Sequence, residues 1–244
     1  MNTDMSTLLI TGASRGVGRA LALRCARSGC YSKIILNGGS DAAALEETSR
    51  LVSSAGDLLC LPALGDVGDL AFVESLRRRF GPLDVLVNNA AVCWTGLLTE
   101  MKPEEWDSLL RTNLTSLYNT CHTFVPDMVS ASSGKILNIS SVWGLSGASC
   151  EVAYSASKGA VNAFTRALAR ELAPSHIRVN ALALGIVDTR MNAHLSDAEM
   201  DEIRDQIPAG YILSPEEAAD AAFRLLEMPE YFNGEVVRLD GCWT

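Results

Sequence analysis

At 244 residues, 48% hydrophobic and 20% charged, the chain has an ordinary globular composition and the length of one large α/β domain or two small ones. Its net charge of −9 and pI near 4.9, without a basic stripe, argue against a nucleic-acid or anionic-membrane partner. No apolar run approaches the roughly 18 residues of a membrane span, and the start MNTDMSTLLITGAS reads as no export signal.

Strand-like runs fall at residues 8–11, 33–36, 58–61, 85–87, 135–140, 177–182 and 235–239. Helical patterns lie between them at 18–28, 42–53, 70–80, 104–129, 155–172 and 215–227. Several strands are apolar on both faces, as a sheet covered by helices requires. The alternation predicts an α/β fold: one domain over residues 1–244, a doubly wound seven-stranded parallel sheet with helices on both faces and right-handed crossovers. The longest irregular stretch, 185–214, holds one short helix at 197–206. Ligands of such sheets bind beyond the carboxyl ends of the strands, so this stretch is expected to act as a substrate lid.

The first strand runs into TGASRGVGRA, residues 11–20. Gly12, Gly16 and Gly18 allow a tight turn and close approach of a pyrophosphate to a helix N-terminus, with Ser14, Arg15 and Val17 completing the loop. By itself such a turn could simply be a tight βα connection; between a first strand and a helix, the expected ligand is a dinucleotide. The second strand ends in Asn37, Gly38, Gly39 and Ser40, without the carboxylate that usually holds an NAD ribose; Asp41 reads as an N-cap. Arg15 facing a 2′-phosphate, with Ser40 as a neutral donor, favours NADP(H) over NAD(H).

Farther along stands YSASK, residues 154–158. Tyr154 and Lys158 are one helical turn apart and share a face. Such a pair is either solvated or, in a cofactor cleft, a proton donor whose pKa is held down by a neighbouring cation.

The seven cysteines are scattered without a CxxC, pointing to reduced thiols in a cytosol. His122, His176 and His194 lack metal-ligand spacing and read as surface or capping residues, so no metal site is expected.

These pieces together resemble the short-chain dehydrogenase/reductase family along essentially the whole chain. TGASRGVG resembles its cofactor loop, Asp66 and Val67 its adenine contact, and NNAA its strand end, with Asn88 and Ala90 as cofactor contacts. TNLTS puts Asn113 at the position of the family's catalytic asparagine. NISSVWG and YSASK put Ser141 thirteen residues before Tyr154, the family's spacing. LGIVDT resembles the segment that holds the nicotinamide amide, with Leu184 in place of a proline and Val187 and Thr189 retained.

The resemblance implies a Rossmann-type fold and NADPH-dependent reduction of a ketone. Tyr154 would be the general acid, its pKa lowered from about 10 by Lys158 and by the oxidised nicotinamide. Lys158 would also bond the nicotinamide ribose. Ser141 would orient the substrate oxygen and Asn113 would hold a water leading to Lys158. Because all four are present, an enzyme is expected rather than a dinucleotide-sensing regulator without turnover.

The overall pattern is most similar to 3-oxoacyl-(acyl-carrier-protein) reductases. SSVWGLSGASCEVAYSASKGA and a Trp near the chain end also resemble reductases of an aminopentanone-modified lysine on elongation factor P. Trp94 is a candidate pocket wall, and Trp143 is either a wall of the site or a packing residue. Glu151 is either a contact for a substrate amine or a solvated loop carboxylate. Basic residues at 77–79 and 166–170 are either docking cations for an acidic carrier protein or solvated helix faces. Small and apolar residues on 104–129 and 155–172, including Ala160, Ala163, Phe164 and Ala167, are either buried under the sheet or, as the resemblance implies, the dimer face of a homotetramer or homodimer, and the protein is expected to be cytoplasmic.

Overall fold

A computed structural model describes residues 6–193 and 195–244. Residues 1–5, the beginning of the stretch read as no export signal, and His194, read as a surface or capping residue, lie outside the described residues.

Seven strands alternate with helices: β1 (Ser6–Ile10), α1 (Gly16–Ser28), β2 (Tyr31–Gly38), α2 (Ala42–Ala55), β3 (Leu59–Leu64), α3 (Leu70–Phe80) and β4 (Val85–Asn88). The second half runs α4 (Pro103–Leu110), α5 (Ser116–Ala131), β5 (Gly134–Ser141), α6 (Trp143–Ser146), α7 (Val152–Leu172), β6 (Ile177–Leu184), α8 (Asp197–Gln206), α9 (Pro215–Leu226) and β7 (Val236–Leu239). Every pairing is parallel, in the order β3-β2-β1-β4-β5-β6-β7. The doubly wound single domain expected from the alternation is what forms.

Strand residues send alternate side chains to opposite faces, and both faces are apolar. Leu8, Ile10, Ile34 and Leu36 pack under α1, α2 and α9 with Leu21, Leu45 and Phe223. Leu9, Ile35, Leu86 and Val179 pack under α3, α5 and α7 with Leu76, Phe124 and Leu172. Each such fully buried side chain contributes roughly 1.5–3 kcal/mol. The strand order reverses direction at β1 and β4, so their carboxyl ends diverge and open a crevice.

Residues 104–129, read as one helix, are interrupted. Arg111–Thr115 forms a π-helical turn between α4 and α5. It admits one extra residue to the turn and re-aims the helix beyond it. β3 also begins and ends later than its apolar run suggested, extending through Leu64.

His122 stacks on Tyr118 and His176 ends a short 3₁₀ turn after α7, with Nδ1 2.6 Å from Glu230; both are exposed. Among the described residues no helix is long and apolar enough to cross a membrane.

Candidate active site

The turn after β1 is stitched to the end of β4. The Oγ1 of Thr11 accepts from the backbone N–H groups of Asn89 and Ala90, at 2.9 and 3.0 Å. The Asn89 amide donates to the carbonyls of Thr11 and Gly12, at 2.9 and 3.0 Å. Gly12 and Gly16 adopt φ of +64° and +54°, the left-handed region that a side chain disfavours. Gly18 is needed for a different reason: a Cβ there would lie 2.4 Å from the Gly12 oxygen and 2.6 Å from the Asn89 amide nitrogen.

Helix α1 starts without a side-chain cap and without an acid in its first turn. Its first N–H groups therefore have no side-chain acceptor, and Gly16, Val17 and Gly18 line a cavity of about 920 Å³. Uncapped donors at the positive end of a helix dipole suit a phosphate, so these residues fit a dinucleotide. Ser14 is buried beneath them, its carbonyl taken by Arg19 and Thr48.

The end of β2 carries more charge than its turn sequence suggests. Asn37 is buried and donates to the carbonyls of Ala63 and Gly65. Ser40 is exposed. Asp41 caps α2 as expected, accepting from Ala44 N at 3.0 Å, but its other oxygen pairs with Arg15. The cap, Arg15 and Arg190 together hold the Asp41 carboxyl below the usual range.

Asp66 is exposed, accepts from Gly68 N and pairs with Arg111 at 2.8 Å. Val67 is buried, and its carbonyl accepts from Asn119. The Asn88 side chain donates to Asn138 and accepts from Thr120, tying β4 to β5 and α5. It is Asn89, the residue of NNAA between the two expected contacts, that reaches the cavity wall; Ala90 contributes its N–H to Thr11.

Ser141 at the end of β5, and Tyr154 and Lys158 on α7, converge on the same cavity. All three are buried. The Ser141 hydroxyl oxygen accepts from Trp143 N at 3.2 Å. Lys158 Nζ donates to the Ile139 carbonyl at 2.8 Å and lies 5.6 Å from the Tyr154 ring centre.

The pKa expectation for this pair concerned the complex with the oxidised nicotinamide; in the chain by itself burial sets both values. Burial, reinforced by Cys93 and Glu151, pushes the Tyr154 phenol up, opposed by a hydrogen bond with Ser141. Desolvation likewise depresses Lys158, to about 8, which leaves it largely protonated at neutral pH.

Asn113 is carried inward by the π-helical turn. Its amide donates to Val92 O at 2.9 Å and Ser157 Oγ at 3.1 Å and accepts from Val92 N at 2.8 Å. It thus fixes the loop after β4 against α7, beside Lys158.

Trp143 and Glu151 line the far end of the cavity, while Trp94 does not. Trp94 folds over Gly96, where a Cβ would meet its ring at 2.7 Å, and packs in a cluster with Leu109, Ala153 and Tyr154. Its apolar bulk is spent behind the wall. Cys93 takes the wall position, donating to Glu151 Oε2 at 3.2 Å. Burial first and Glu151 second push its thiol up to about 12.

Trp243 packs against Trp143 with ring centres 4.9 Å apart and planes tilted by 56°, and faces the same cavity. A knot on Asp240 positions it: that carboxylate accepts from Cys242 N and Thr244 N, both at 3.0 Å. The stretch after β6 supplies Val187 and Thr189 as expected, together with Met191, Ile203 and Gln206. Leu184, in place of the proline, is buried in β6, and its carbonyl accepts from Val142 N at 2.9 Å.

A family model described as short chain dehydrogenase matches residues 6–200. The uncharacterized oxidoreductase YmfI of Bacillus subtilis (strain 168) is 37% identical over 240 residues, covering 97% of this chain and 98% of its own. The 3-oxoacyl-[acyl-carrier-protein] reductase FabG of Escherichia coli (strain K12) is 35% identical over 242 residues, covering 99% and 98%. A gluconate 5-dehydrogenase from Burkholderia cenocepacia J2315, solved with NADP and tartrate, superposes with a TM-score of 0.89 at 29% identity, covering 98% of this chain and 94% of that one.

Proposed function

The chain belongs to the short chain dehydrogenase family, and from that premise we propose that it reduces the keto group of a carrier-tethered 3-oxoacyl thioester, with NADPH as the preferred cofactor. It is an oxidoreductase of ketone and alcohol groups, and its family binds a nicotinamide dinucleotide. The observation that carries the proposal is the convergence of Ser141, Tyr154 and Lys158 on one cavity that begins at the uncapped N-terminus of α1.

When bound, the nicotinamide supplies the hydride. Tyr154 supplies the matching proton to the carbonyl oxygen, and burial keeps the phenol in its protonated, donating form. The Ser141 hydroxyl donates to the same oxygen and orients it. Lys158, with a pKa near 8, holds a proton that is released readily near neutrality and passes it toward Tyr154. Asn113 acts by holding Val92 and Ser157, and thereby the start of α7, in register. Gly12, Gly16, Val17, Gly18 and Asn89 shape the dinucleotide end, with Asp66 and Val67 toward the adenine and Val187 and Thr189 toward the amide. The stretch 185–214 serves as the lid, bringing Met191, Ile203 and Gln206 over the substrate.

Preference for NADPH rests on Arg15 in the glycine turn and on the lack of a carboxylate from Asn37 to Ser40; the similar Burkholderia enzyme was solved with NADP. A cytoplasmic location rests on seven free cysteines. Self-association rests on the exposed face of α5 and α7, where Tyr118, Val129, Ala163 and Ala167 meet solvent.

One observation favours a second substrate. The Glu151 carboxylate in the wall suits a ketone bearing an amine, such as an aminopentanone-modified lysine of elongation factor P. Turnover of acetoacetyl thioesters against amino-ketone peptides, each with NADPH and NADH, tests both readings. Faster turnover of the thioester supports the first, and faster turnover of the amino-ketone supports the second. No oxidation of either cofactor with any ketone would overturn the reductase assignment.

A further inference from the structure

Two guanidinium groups that line the cavity, Arg15 and Arg190, have the Asp41 carboxylate as a common charged neighbour. Arg15 comes from the glycine turn, Asp41 from the start of α2 and Arg190 from the stretch after β6. Asp41 gives one carboxylate oxygen to the cap of α2 and the other to Arg15. Arg190 lines the same cavity as Arg15, and its charge is felt at Asp41. Its neighbour Thr189 rests against the glycine turn, its Cγ2 3.4 Å from where a Gly16 Cβ would stand. The backbone of this stretch is fixed by Asn192, which donates to Val187 O at 2.7 Å, and by Asp188 N, which donates to Leu213 O at 2.9 Å. Arg190 holds no ion pair among the described residues.

The pairing bears on how a phosphate is selected. Arg15 already has its charge matched by a carboxylate that cannot leave, because Asp41 is tethered as the α2 cap. A phosphate arriving beside this pair meets little net attraction, and repulsion from Asp41. A guanidinium without a partner changes that balance. We propose that Arg190 is a specificity-determining residue, a second guanidinium for the 2′-phosphate, and that Asp41 is the internal anion with which that phosphate competes for Arg15. The proposal rests on the NADP reading above and deepens it.

A ribose 2′-phosphate carries close to two negative charges at neutral pH. It offers three acceptor oxygens, enough for two forked donors. With the phosphate bound, Arg15 and Arg190 share it, and Asp41 keeps only its cap. NAD(H) has nothing to replace the Asp41 carboxylate and leaves the Arg15 pair intact. Arg15 and Asp41 are partly exposed, with side-chain accessibilities of 37% and 42%, so the selectivity is sensitive to salt.

The test is titration calorimetry with two nucleotide fragments, adenosine 2′,5′-bisphosphate and 5′-AMP, on the whole protein as wild type, Arg190→Gln and Asp41→Asn. Asparagine also caps helices, so Asp41→Asn removes the charge and retains the cap. Arg190→Gln should weaken the bisphosphate about tenfold, flatten its salt dependence and leave 5′-AMP unchanged. Asp41→Asn should tighten the bisphosphate alone. Unchanged bisphosphate binding in Arg190→Gln, or an equal loss for both fragments, would overturn the assignment of Arg190 while leaving the NADPH reading intact. Wild type that binds the two fragments equally would overturn the NADPH preference and this proposal together, and turnover with NADH would then still uphold the reductase.

Discussion

Lys158 lends its ammonium to the end of β5: Nζ donates to the Ile139 carbonyl at 2.8 Å while standing 5.6 Å from the Tyr154 ring centre. One helical turn brings the two side chains to the same face of α7, but the carboxyl end of β5 captures the cation. The phenol stays protonated through burial, and the lysine loses basicity for the same reason.

Tyr154→Phe removes the acid and leaves the ring that packs against Leu109 and Ala153. Turnover should fall by about a hundred- to ten-thousandfold, with the Kd for NADPH, read by fluorescence titration, unchanged. Turnover near the wild-type rate would remove Tyr154 from the reaction.

Lys158 also shapes the dependence of stability on pH. Its pKa is depressed from 10.5 to about 8 in the folded protein, so burial of the charged form opposes folding. The opposition is complete below about 8 and is released as pH rises toward 10.5, because in that window the unfolded chain binds the extra proton. Lys158→Met should be the more stable protein at neutral pH, by on the order of 3 kcal/mol less the lost bond to Ile139. Urea unfolding of both across the window should show the difference closing. A difference independent of pH would mean that Lys158 is not depressed.

Gly18→Ala forces a methyl group against the Gly12 oxygen and the Asn89 amide. Overpacking of this kind costs about 1–3 kcal/mol. The clasp between β1 and β4 is the part that must give, so dinucleotide affinity should fall along with stability. Gly29→Ala, at the C-cap of α1 with open space around it, should cost stability and spare affinity.

Trp243→Ala removes one half of the aromatic pair at the substrate end. An aromatic pair is worth roughly 0.5–1.5 kcal/mol, so KM for the ketone should rise about two- to tenfold. The kcat and the Kd for NADPH should hold. A fall in kcat with KM unchanged would move Trp243 from the wall to the reacting centre.

Ala163→Arg sets a charge on the exposed face of α7. Light scattering at micromolar concentration should give an oligomeric mass for wild type and a reduced mass for the variant. A monomeric wild type would end the self-association reading.

The strands were readable because each is a short apolar run in a sheet covered on both sides, a pattern that depends on local sequence alone. The convergence of Gly12, Gly18, Ser141, Tyr154 and Lys158 on one cavity followed from motif spacing. Features set by packing across the chain were harder to read. Nothing local marks 111–115 as a π-helical turn, since its bonds shift by one residue without any change in composition. Asn89 and Asn88 are identical side chains in adjacent positions, and strand alternation alone decides which faces β1. Trp94 had the right size for a cavity wall, yet Gly96 with φ of +158° folds the loop back and draws the indole inside. Asp41 read as a helix cap, and a capping role conceals the second oxygen that meets Arg15.

Placing β1 in the middle of the sheet has a consequence for how the chain is made. One side of β1 pairs with β2 soon after it, but the other waits for β4; Thr7 and Asp84, bonded across that join, are 77 residues apart. At ribosomal speed that separation is about four to fifteen seconds of synthesis. During it, β1 presents an unpaired apolar edge through Leu8, Leu9 and Ile10, each with no exposure in the finished protein. Such an edge is a template for stray strand pairing. The nascent half-sheet is thus the stage at which this protein is most open to aggregation, and the stage at which a chaperone or a slower growth temperature would most improve the yield of folded chain.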